Sequence, residues 1–412
     1  MSRILYLHQH FSTPEGSAGT RSHAFARALA QRGHAVTLAT GQWQGAVTGL
    51  DGPFRQGRRQ GRVSGFQVVE FAIACGNAIG LPARSAAFLR YAARASRLAL
   101  RGDWDLIIAS STPITVAIPA LLARGTPFLF EIRDPWPELP AAMGLRMPGV
   151  IAAMERLASA ACRRAAAVVA LTDGMGQTAL ARGTAAERLH IIGQGCDLDL
   201  FGPQISPWRP EAAGGQEMLA VYAGAHGRAN GLGLLLDVAA QLRATDEHRV
   251  RLVLVGEGSE KPALMADAAA RGLSDVTFLD PLPKRDLARL LAGSQAGLLC
   301  LAPIPEFAEW TAPNKLMDYL AAGLPVLSNV PGEAARLLAQ AGCGETHTEA
   351  TALAEALSRL AARPAQREAM GLAARQHAQR QHDRRLLAAR FVAVAEAAMH
   401  PQRLPARNLA DA

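Results

Sequence analysis

Tyr222-Ala-Gly-Ala-His-Gly-Arg-Ala-Asn-Gly-Leu232 closes an apolar run that starts at Leu219 and opens a helical pattern that continues to Leu242. A strand, a glycine-rich loop and a helix start, in that order, make one repeat of a parallel α/β sheet. Within it, Asn230 reads as an N-cap and Arg228 as a phosphate contact. Working toward the carboxyl end, Val250–Gly256, Val276–Leu279, Gly297–Leu301 and Pro325–Ser328 read as further strands. Helical patterns near Glu260–Ala270, Lys284–Ala292 and Asn314–Ala322 separate them. Toward the amino end, Asp197 to Gln216 is polar and carries Pro203, Pro207, Pro210, Gly214 and Gly215, which reads as a linker. Before it lies a second alternation, with strands at Ile4–Leu7, Ala35–Thr40, Phe66–Phe71, Leu106–Ser110, Phe128–Ile132, Ala167–Leu171 and His190–Ile192. Thr20–Arg32, Ser85–Ala99 and Ile151–Arg164 read as helices between these strands. The fold class expected is therefore two Rossmann-like parallel α/β domains, their strand carboxyl ends facing each other across a cleft.

The boundaries expected are residues 1–196 for the first domain, 197–216 for the hinge and 217–375 for the second domain. Residues 376–412 are expected to form a long arginine-rich helix, around Gln376–Met399, and a tail packing back on the first domain. A chain of 412 residues, half apolar and 19% charged, is long enough for two hydrophobic cores. No run approaches the length of a membrane span. Met1-Ser-Arg-Ile-Leu-Tyr-Leu7 is interrupted too soon by His8 and His10 to be a signal peptide. A cytoplasmic location is expected. Cys75, Cys162, Cys196, Cys300 and Cys343 form no close pair or metal-ligand spacing and read as core filler in a reducing compartment. The net charge of +8 permits anionic partners, but no helix-turn-helix, zinc-finger or aromatic-studded pattern points to nucleic acid.

Four stretches carry residue types suited to chemistry. Phe11 to Arg21 links the first strand to a helix, and Gly16 and Gly19 would let its backbone approach an anion at the helix start. Phe130-Glu-Ile-Arg-Asp-Pro-Trp-Pro-Glu138 follows a central strand and would carry Glu131, Arg133, Asp134 and Glu138 to a cleft rim for acid–base work or hydroxyl recognition. The alternative is a structural Arg–Asp pair with Trp136 as packing. Val255-Gly-Glu-Gly-Ser-Glu-Lys261 is an incomplete dinucleotide fingerprint, since lysine stands where the third glycine belongs. Pro313-Asn-Lys315 opens a helix, where a cation opposes the helix dipole unless an anion binds nearby; Lys315 is one of only three lysines. Asp318 lies one turn further on. The acid pairs Asp103/Asp105 and Asp197/Asp199 are poorly placed for a metal, and none is expected.

Together these stretches resemble the family 4 retaining glycosyltransferases of GT-B architecture. The branch they resemble builds O-antigen, colanic-acid and capsule repeat units and includes transferases of N-acetyl-fucosamine type. The residues that carry the resemblance are Gly19-Thr20-Arg21, the Arg133–Glu138 block, Gly224-Ala-His226-Gly227 followed by Asn230-Gly231, and Pro313-Asn314-Lys315 leading to Asp318-Tyr319. The resemblance implies an EC 2.4 hexosyltransferase moving sugar from a nucleotide-sugar, by default a UDP-sugar, to a polyprenyl-diphosphate-linked acceptor with retention and without a cofactor. It assigns Gly16, Gly19, Gly224, His226, Arg228, Asn230, Glu257, Asn314, Lys315 and Asp318 to the donor, Arg133 and Glu138 to the acceptor side, and Asp134, Arg228 and Lys315 to catalysis.

The chain departs from that family where two glutamates usually flank the donor sugar, because Trp310 and Asp318 stand there; Glu306 or Glu309 could replace the first acid. The usual Arg and Lys diphosphate clamp falls on Ala225 and Asn230, leaving Arg228 and Lys315 as cations. A nucleotide-sugar 2-epimerase, a catalytically inactive GT-B scaffold and a nicotinamide dehydrogenase are the alternatives. Arg84, Arg90, Arg94, Arg97 and Arg101, interleaved with Phe88, Leu89, Tyr91 and Leu98, suggest a helix lying on an anionic membrane face, or else a solvated helix packed on the sheet.

Overall fold

The computed structural model describes residues 1–76, 79–213 and 217–400, and the chain forms two compact units. The first comprises residues 1–193 and returns at Arg385; the second comprises Gln194–Arg384.

In the first unit the order is β1 (Arg3–Leu7), α1 (Arg21–Gln31), β2 (Ala35–Trp43), β3 (Arg58–Val63), β4 (Phe66–Cys75), α2 (Leu81–Arg101), β5 (Leu106–Ser110), α3 (Ala117–Leu122), β6 (Phe128–Ile132), α4 (Glu138–Ala142), α5 (Pro148–Arg164), β7 (Ala167–Ala170), α6 (Asp173–Ala181) and β8 (Leu189–Ile191). Its sheet runs β3-β4-β2-β1-β5-β6-β7-β8, parallel except for β3. That strand is absent from the sequence reading because Arg58-Arg-Gln-Gly-Arg-Val63 has no apolar alternation; an edge strand needs none, and charge there discourages further pairing. Ser64 (φ 50°) and Gly65 (φ 95°) make the two-residue turn that joins it to β4.

The second unit contains β9 (Met218–Ala223), α7 (Gly233–Ala244), β10 (Val250–Val255), α8 (Lys261–Ala270), β11 (Val276–Leu279), α9 (Lys284–Ala292), β12 (Ala296–Leu299), α10 (Phe307–Trp310), α11 (Asn314–Ala322), β13 (Val326–Ser328), α12 (Glu333–Ala341), β14 (Gly344–Thr346), α13 (Ala350–Ala362) and α14 (Pro364–Gln381). Its sheet is wholly parallel in the order β11-β10-β9-β12-β13-β14, the 3-2-1-4-5-6 arrangement of a dinucleotide-binding domain. Alternate residues of β9 enter two cores: Met218, Ala220 and Tyr222 face one side, and Leu219, Val221 and Ala223 the other.

The long terminal helix expected around Gln376–Met399 is broken. A helix α15 (Arg384–Ala398) follows α14 after His382 and Asp383. At the break the Cys196 N–H donates to the His382 carbonyl, and the Arg384 N–H donates to the Cys196 carbonyl. Backbone bonding outside the helix replaces the helical ladder there. Beyond the break α15 belongs to the first unit: Leu387, Phe391, Val392 and Ala395 share a core with Ile4, Tyr6 and Phe25. Phe391 stacks on Phe25 at 4.3 Å, and burying such a ring contributes about 1.5–3 kcal/mol.

The polar stretch from Asp197 is not a free linker over its described part. Phe201 is fully buried in the second unit's core, the Trp208 N–H donates to the Arg289 carbonyl, and Arg209 reaches the carbonyls of Glu217 and Gly293. Residues 197–213 therefore pack on the second unit; Gly214, Gly215 and Gln216, the end of the expected hinge, lie outside the described residues. All five cysteines are free and buried.

Candidate functional site

In a doubly wound sheet, ligands meet the carboxyl ends of the strands where the order reverses. In the second unit that point lies between β9 and β12. The loop after β9 leaves the sheet at Gly224 and forms a tight turn at Arg228–Asn230 before α7. Asn230 is therefore not the N-cap; Leu232 holds that position. The Asn230 side chain instead accepts a hydrogen bond from Lys315 Nζ at 3.1 Å.

Lys315 lies in the first turn of α11, and Nζ also donates to the Tyr222 hydroxyl at 2.8 Å while sitting 4.2 Å from that ring's centroid. The hydroxyl in turn donates a hydrogen bond to the Ala225 carbonyl at 2.9 Å. A Cβ on Gly224 would lie 2.8 Å from Lys315 Cε and 3.0 Å from Nζ, so glycine makes the room in which this ammonium rests. Burial lowers its pKa to about 8. It remains mostly charged at neutral pH, with two acceptors for three protons. Arg228, at the exposed start of the turn, has no protein partner among the described residues. Asn314 opens α11 beside Lys315.

The Gly-x-Gly at 256–258 has a structural cause. The Gly224 N–H donates to the Val255 carbonyl, the His226 N–H to the Glu257 carbonyl, and the Glu260 N–H to the His226 carbonyl, each at 2.9 Å. A Cβ at Gly256 would stand 1.8 Å from the Gly224 oxygen, and one at Gly258 2.4 Å from the His226 oxygen. The glycines permit one loop to lie on another and form no dinucleotide cradle. Lys261, the residue that spoils the fingerprint, ties this loop to β11 through the Leu279 carbonyl, Asp280 and Glu257. Glu257 is thus held by Lys261 and faces solvent.

His226 is fully buried between Tyr222 and Phe278, with neither ring nitrogen hydrogen-bonded. Burial and the Lys261 cation lower its pKa to about 4, so the ring is neutral. Asp318 departs from its expected place. Its carboxylate is taken by Lys284 of α9, and both side chains are buried. Burial raises its pKa against the pull of Lys284. Of the acids offered in place of Trp310, Glu309 is engaged by Arg336 at 2.6 and 3.0 Å.

In the first unit the reversal falls between β1 and β5. His8 Nε2 accepts from Arg133 at 2.5 Å, so its other nitrogen carries the proton toward the Ser22 hydroxyl at 2.7 Å. Burial, then Arg133, holds the His8 pKa well below the usual value. Asp134 accepts from the Thr112 hydroxyl at 2.8 Å, and burial raises its pKa above the ordinary carboxylate range. Gln9 is buried with both amide atoms unpartnered, and His10 Nε2 is likewise orphaned. In the sequence His8 and His10 register only as the interruption of the first apolar run, and Gln9 not at all; the signal for a site is polar residues directly after a first strand.

Other expected residues do different work. The amides of Thr13, Gly16 and Ser17 are bound by the carbonyls of Val47, Thr13 and Gly45, so the Gly16 loop is zipped to a neighbouring loop rather than open to phosphate. A Cβ at Gly16 would meet Ser12 Oγ at 2.4 Å and Val47 N at 2.8 Å. Gly19 lies just before the first residue of α1's cap, Thr20. Arg21 is fully buried and spends its guanidinium on Glu131 at 2.7 Å and on the Ile192 and Gly193 carbonyls. Glu131 is accordingly an internal ion-pair partner rather than a rim acid. Burial pushes its carboxyl up, but Arg21, Arg133 and Ser110 together hold it below the ordinary range. Glu138 shares Arg182 with Glu155, which joins α4 and α5 to the end of α6. Asp105 accepts the Arg3 N–H at 2.7 Å, and Asp197 is bound by Arg384.

Comparison with known proteins accounts for both halves. Residues 16–195 match a glycosyl transferase 4-like domain, and residues 217–363 match the glycosyl transferases group 1. A D-inositol 3-phosphate glycosyltransferase of Kribbella flavida is 30% identical over 211 residues, 48% of this chain and 48% of that protein; the match spans about half its length. Sucrose-phosphate synthase of Thermosynechococcus elongatus superposes with a TM-score of 0.74 at 17% identity, over 96% of this chain and 98% of that one. The lipopolysaccharide glycosyltransferase WaaG (TM-score 0.66, 18% identity, 95% and 99% coverage) and Anabaena HepE with UDP-glucose (0.64, 18%, 96% and 99%) share the fold. Two parallel α/β domains, each matched by a glycosyltransferase model, place the chain among the glycosyltransferases of GT-B type.

Proposed function

We propose that the protein transfers a sugar, with retention, from a nucleotide-sugar, by default a UDP-sugar, to a surface-polysaccharide precursor on a polyprenyl diphosphate. The observation that carries the donor half is Lys315, a half-buried ammonium at the carboxyl ends of β9 and β12 with one proton to spare and a glycine beneath it. HepE, of the same fold, is described in complex with UDP and with UDP-glucose, which supports this donor class. Lys315 and Arg228 would stabilise the departing diphosphate, charge that grows as the glycosidic bond breaks. Asp134, with Thr112 and Arg133 beside it, would orient or deprotonate the acceptor hydroxyl. No side chain here is set as a nucleophile, so orientation and charge stabilisation would supply the rate.

Calorimetric titration with UDP, GDP, ADP and NAD, repeated on Lys315→Ala, tests the donor half. Binding of one nucleoside diphosphate, weakened by the substitution, is expected; binding of NAD alone, or of nothing, would reject it. Nucleotide binding without turnover on lipid extracts would favour an inactive scaffold, and release of a free epimerised sugar an epimerase.

A membrane contact belongs to the same reading. Phe88 and Tyr91 of α2 face the core, not a lipid surface. The outward face holds Leu89 and Leu100 with Arg90, Arg97 and Arg101, and the helix has no acidic residue. Exposed leucine among arginine, without acids, suits an anionic bilayer. Among the described residues no helix is long and apolar enough to cross a membrane.

A further inference from the structure

At the β3–β4–β2 edge of the first unit, the loop after β2 stands over the sheet and encloses a half-open cavity of about 340 Å³ that the transfer chemistry above does not use. Arg59 and Glu70 form its floor as a directly opposed cross-strand pair, Nε to Oε2 at 2.9 Å. The Thr48 hydroxyl donates to the same Oε2 at 2.5 Å, although Glu70 is almost wholly buried. Gln42, Trp43 and Asp51 complete the polar and aromatic wall.

The charge of the wall selects its guest. The lining holds one guanidinium and two carboxylates, Glu70 and Asp51, a formal excess of negative charge that disfavours phosphate or a nucleotide. The volume lies at the small end of ligand pockets, room for a sugar ring or two and not for an isoprenoid chain. Planar carboxylate, amide and guanidinium groups each present two hydrogen-bonding atoms to vicinal hydroxyls, and an aromatic ring suits the apolar face of a pyranose. Trp43 also connects the cavity to the polar cluster at the strand ends. Its ring packs at a tilt against His10 with centroids 3.8 Å apart, and His10 carries the buried, unpartnered Nε2. His10 in turn lies 6.3 Å from His8, the partner of Arg133.

We propose that this cavity binds a neutral sugar unit of the acceptor glycan, seated against Trp43 and hydrogen-bonded by Gln42, Asp51 and the Arg59–Glu70 pair. The word acceptor rests on the proposed transferase activity; the binding of sugar does not.

The test uses the full chain with methyl glycosides of glucose, galactose and N-acetylglucosamine at millimolar concentration, read by saturation-transfer NMR and calorimetry, with UDP titrated in parallel. Asp51→Asn and Gln42→Ala, both lining the cavity, are compared with wild type, and the Arg59–Glu70 pair is kept because it joins β3 to β4. At least one glycoside is expected to bind, about tenfold more weakly in each variant, with UDP affinity unchanged. No glycoside binding, binding indifferent to both substitutions, or displacement by inorganic phosphate would overturn the proposal. Sugar binding without UDP binding would leave this site standing and reject the donor site; UDP binding without sugar would do the reverse.

Discussion

Replacing Gly224 by alanine tests the proposed donor site through a residue that has no functional group of its own. The backbone there is not in a glycine-only conformation, so the added methyl is resisted only by what it meets: Lys315 Cε at 2.8 Å, Nζ at 3.0 Å and the Tyr222 hydroxyl at 3.2 Å. A lysine terminus can swing away, and the fold survives. Swinging away breaks the bonds to Tyr222 and Asn230 and takes the ammonium from its place. Net loss of stability should be about 1 kcal/mol, a fall of roughly 2–4 °C in Tm for a domain of this size. A charge-assisted contact to a diphosphate is worth about 1.5–3 kcal/mol, so UDP affinity should fall about ten- to a hundredfold. Gly227→Ala in the same loop, where a Cβ would meet nothing within 4 Å, is the control and should bind UDP like wild type. The assay is calorimetry on wild type, Gly224→Ala, Lys315→Ala and the double variant. If the methyl acts through the lysine, the double variant binds no worse than Lys315→Ala alone. A Gly224→Ala protein with unchanged UDP affinity, or full additivity in the double variant, would refute the reasoning.

Four further outcomes are expected. UDP affinity should decline as pH rises through about 8, where free Lys315 loses the proton that a bound anion retains; Lys315→Arg, always charged, should flatten that profile over pH 7–9 in calorimetry. Glu131→Gln should lower the urea-unfolding free energy by about 3–5 kcal/mol because Arg21 is left fully buried beside a neutral group; a loss below about 1 kcal/mol would mean water reaches the guanidinium. His226→Phe should leave Tm unchanged or raise it, since two orphaned ring nitrogens are removed from the core, and a large drop in Tm would show that they have partners after all. Reversing charge at Arg90, Arg97 and Arg101 together should abolish co-sedimentation with anionic vesicles at low salt without changing UDP binding; equal sedimentation by the variant, or none by wild type, would remove the membrane contact.

The sequence by itself determined the fold class. Alternating apolar runs and helical patterns marked every central strand of both sheets, because a strand buried on both faces must be apolar along its whole length, as Ile4–Leu7 and Leu106–Ser110 are. The edge strand β3 escaped notice because solvent on its outer side removes that demand. For the site, sequence located the right loops but not the direction of each side chain. Lys315, singled out for its scarcity, lies where the strand order reverses, yet Asp318, one turn away, points to Lys284. Glu131 and Glu138 look like cleft chemistry when read along the chain, and become internal ion-pair partners once Arg21 and Arg182 are brought beside them. Only the tertiary structure decided which charges are spent on one another, since a buried charge is neutralised by groups distant in sequence and near in space. By the same rule it exposed what is left over: a lysine with a proton to spare, an unpartnered histidine, and an acidic cavity beside a tryptophan.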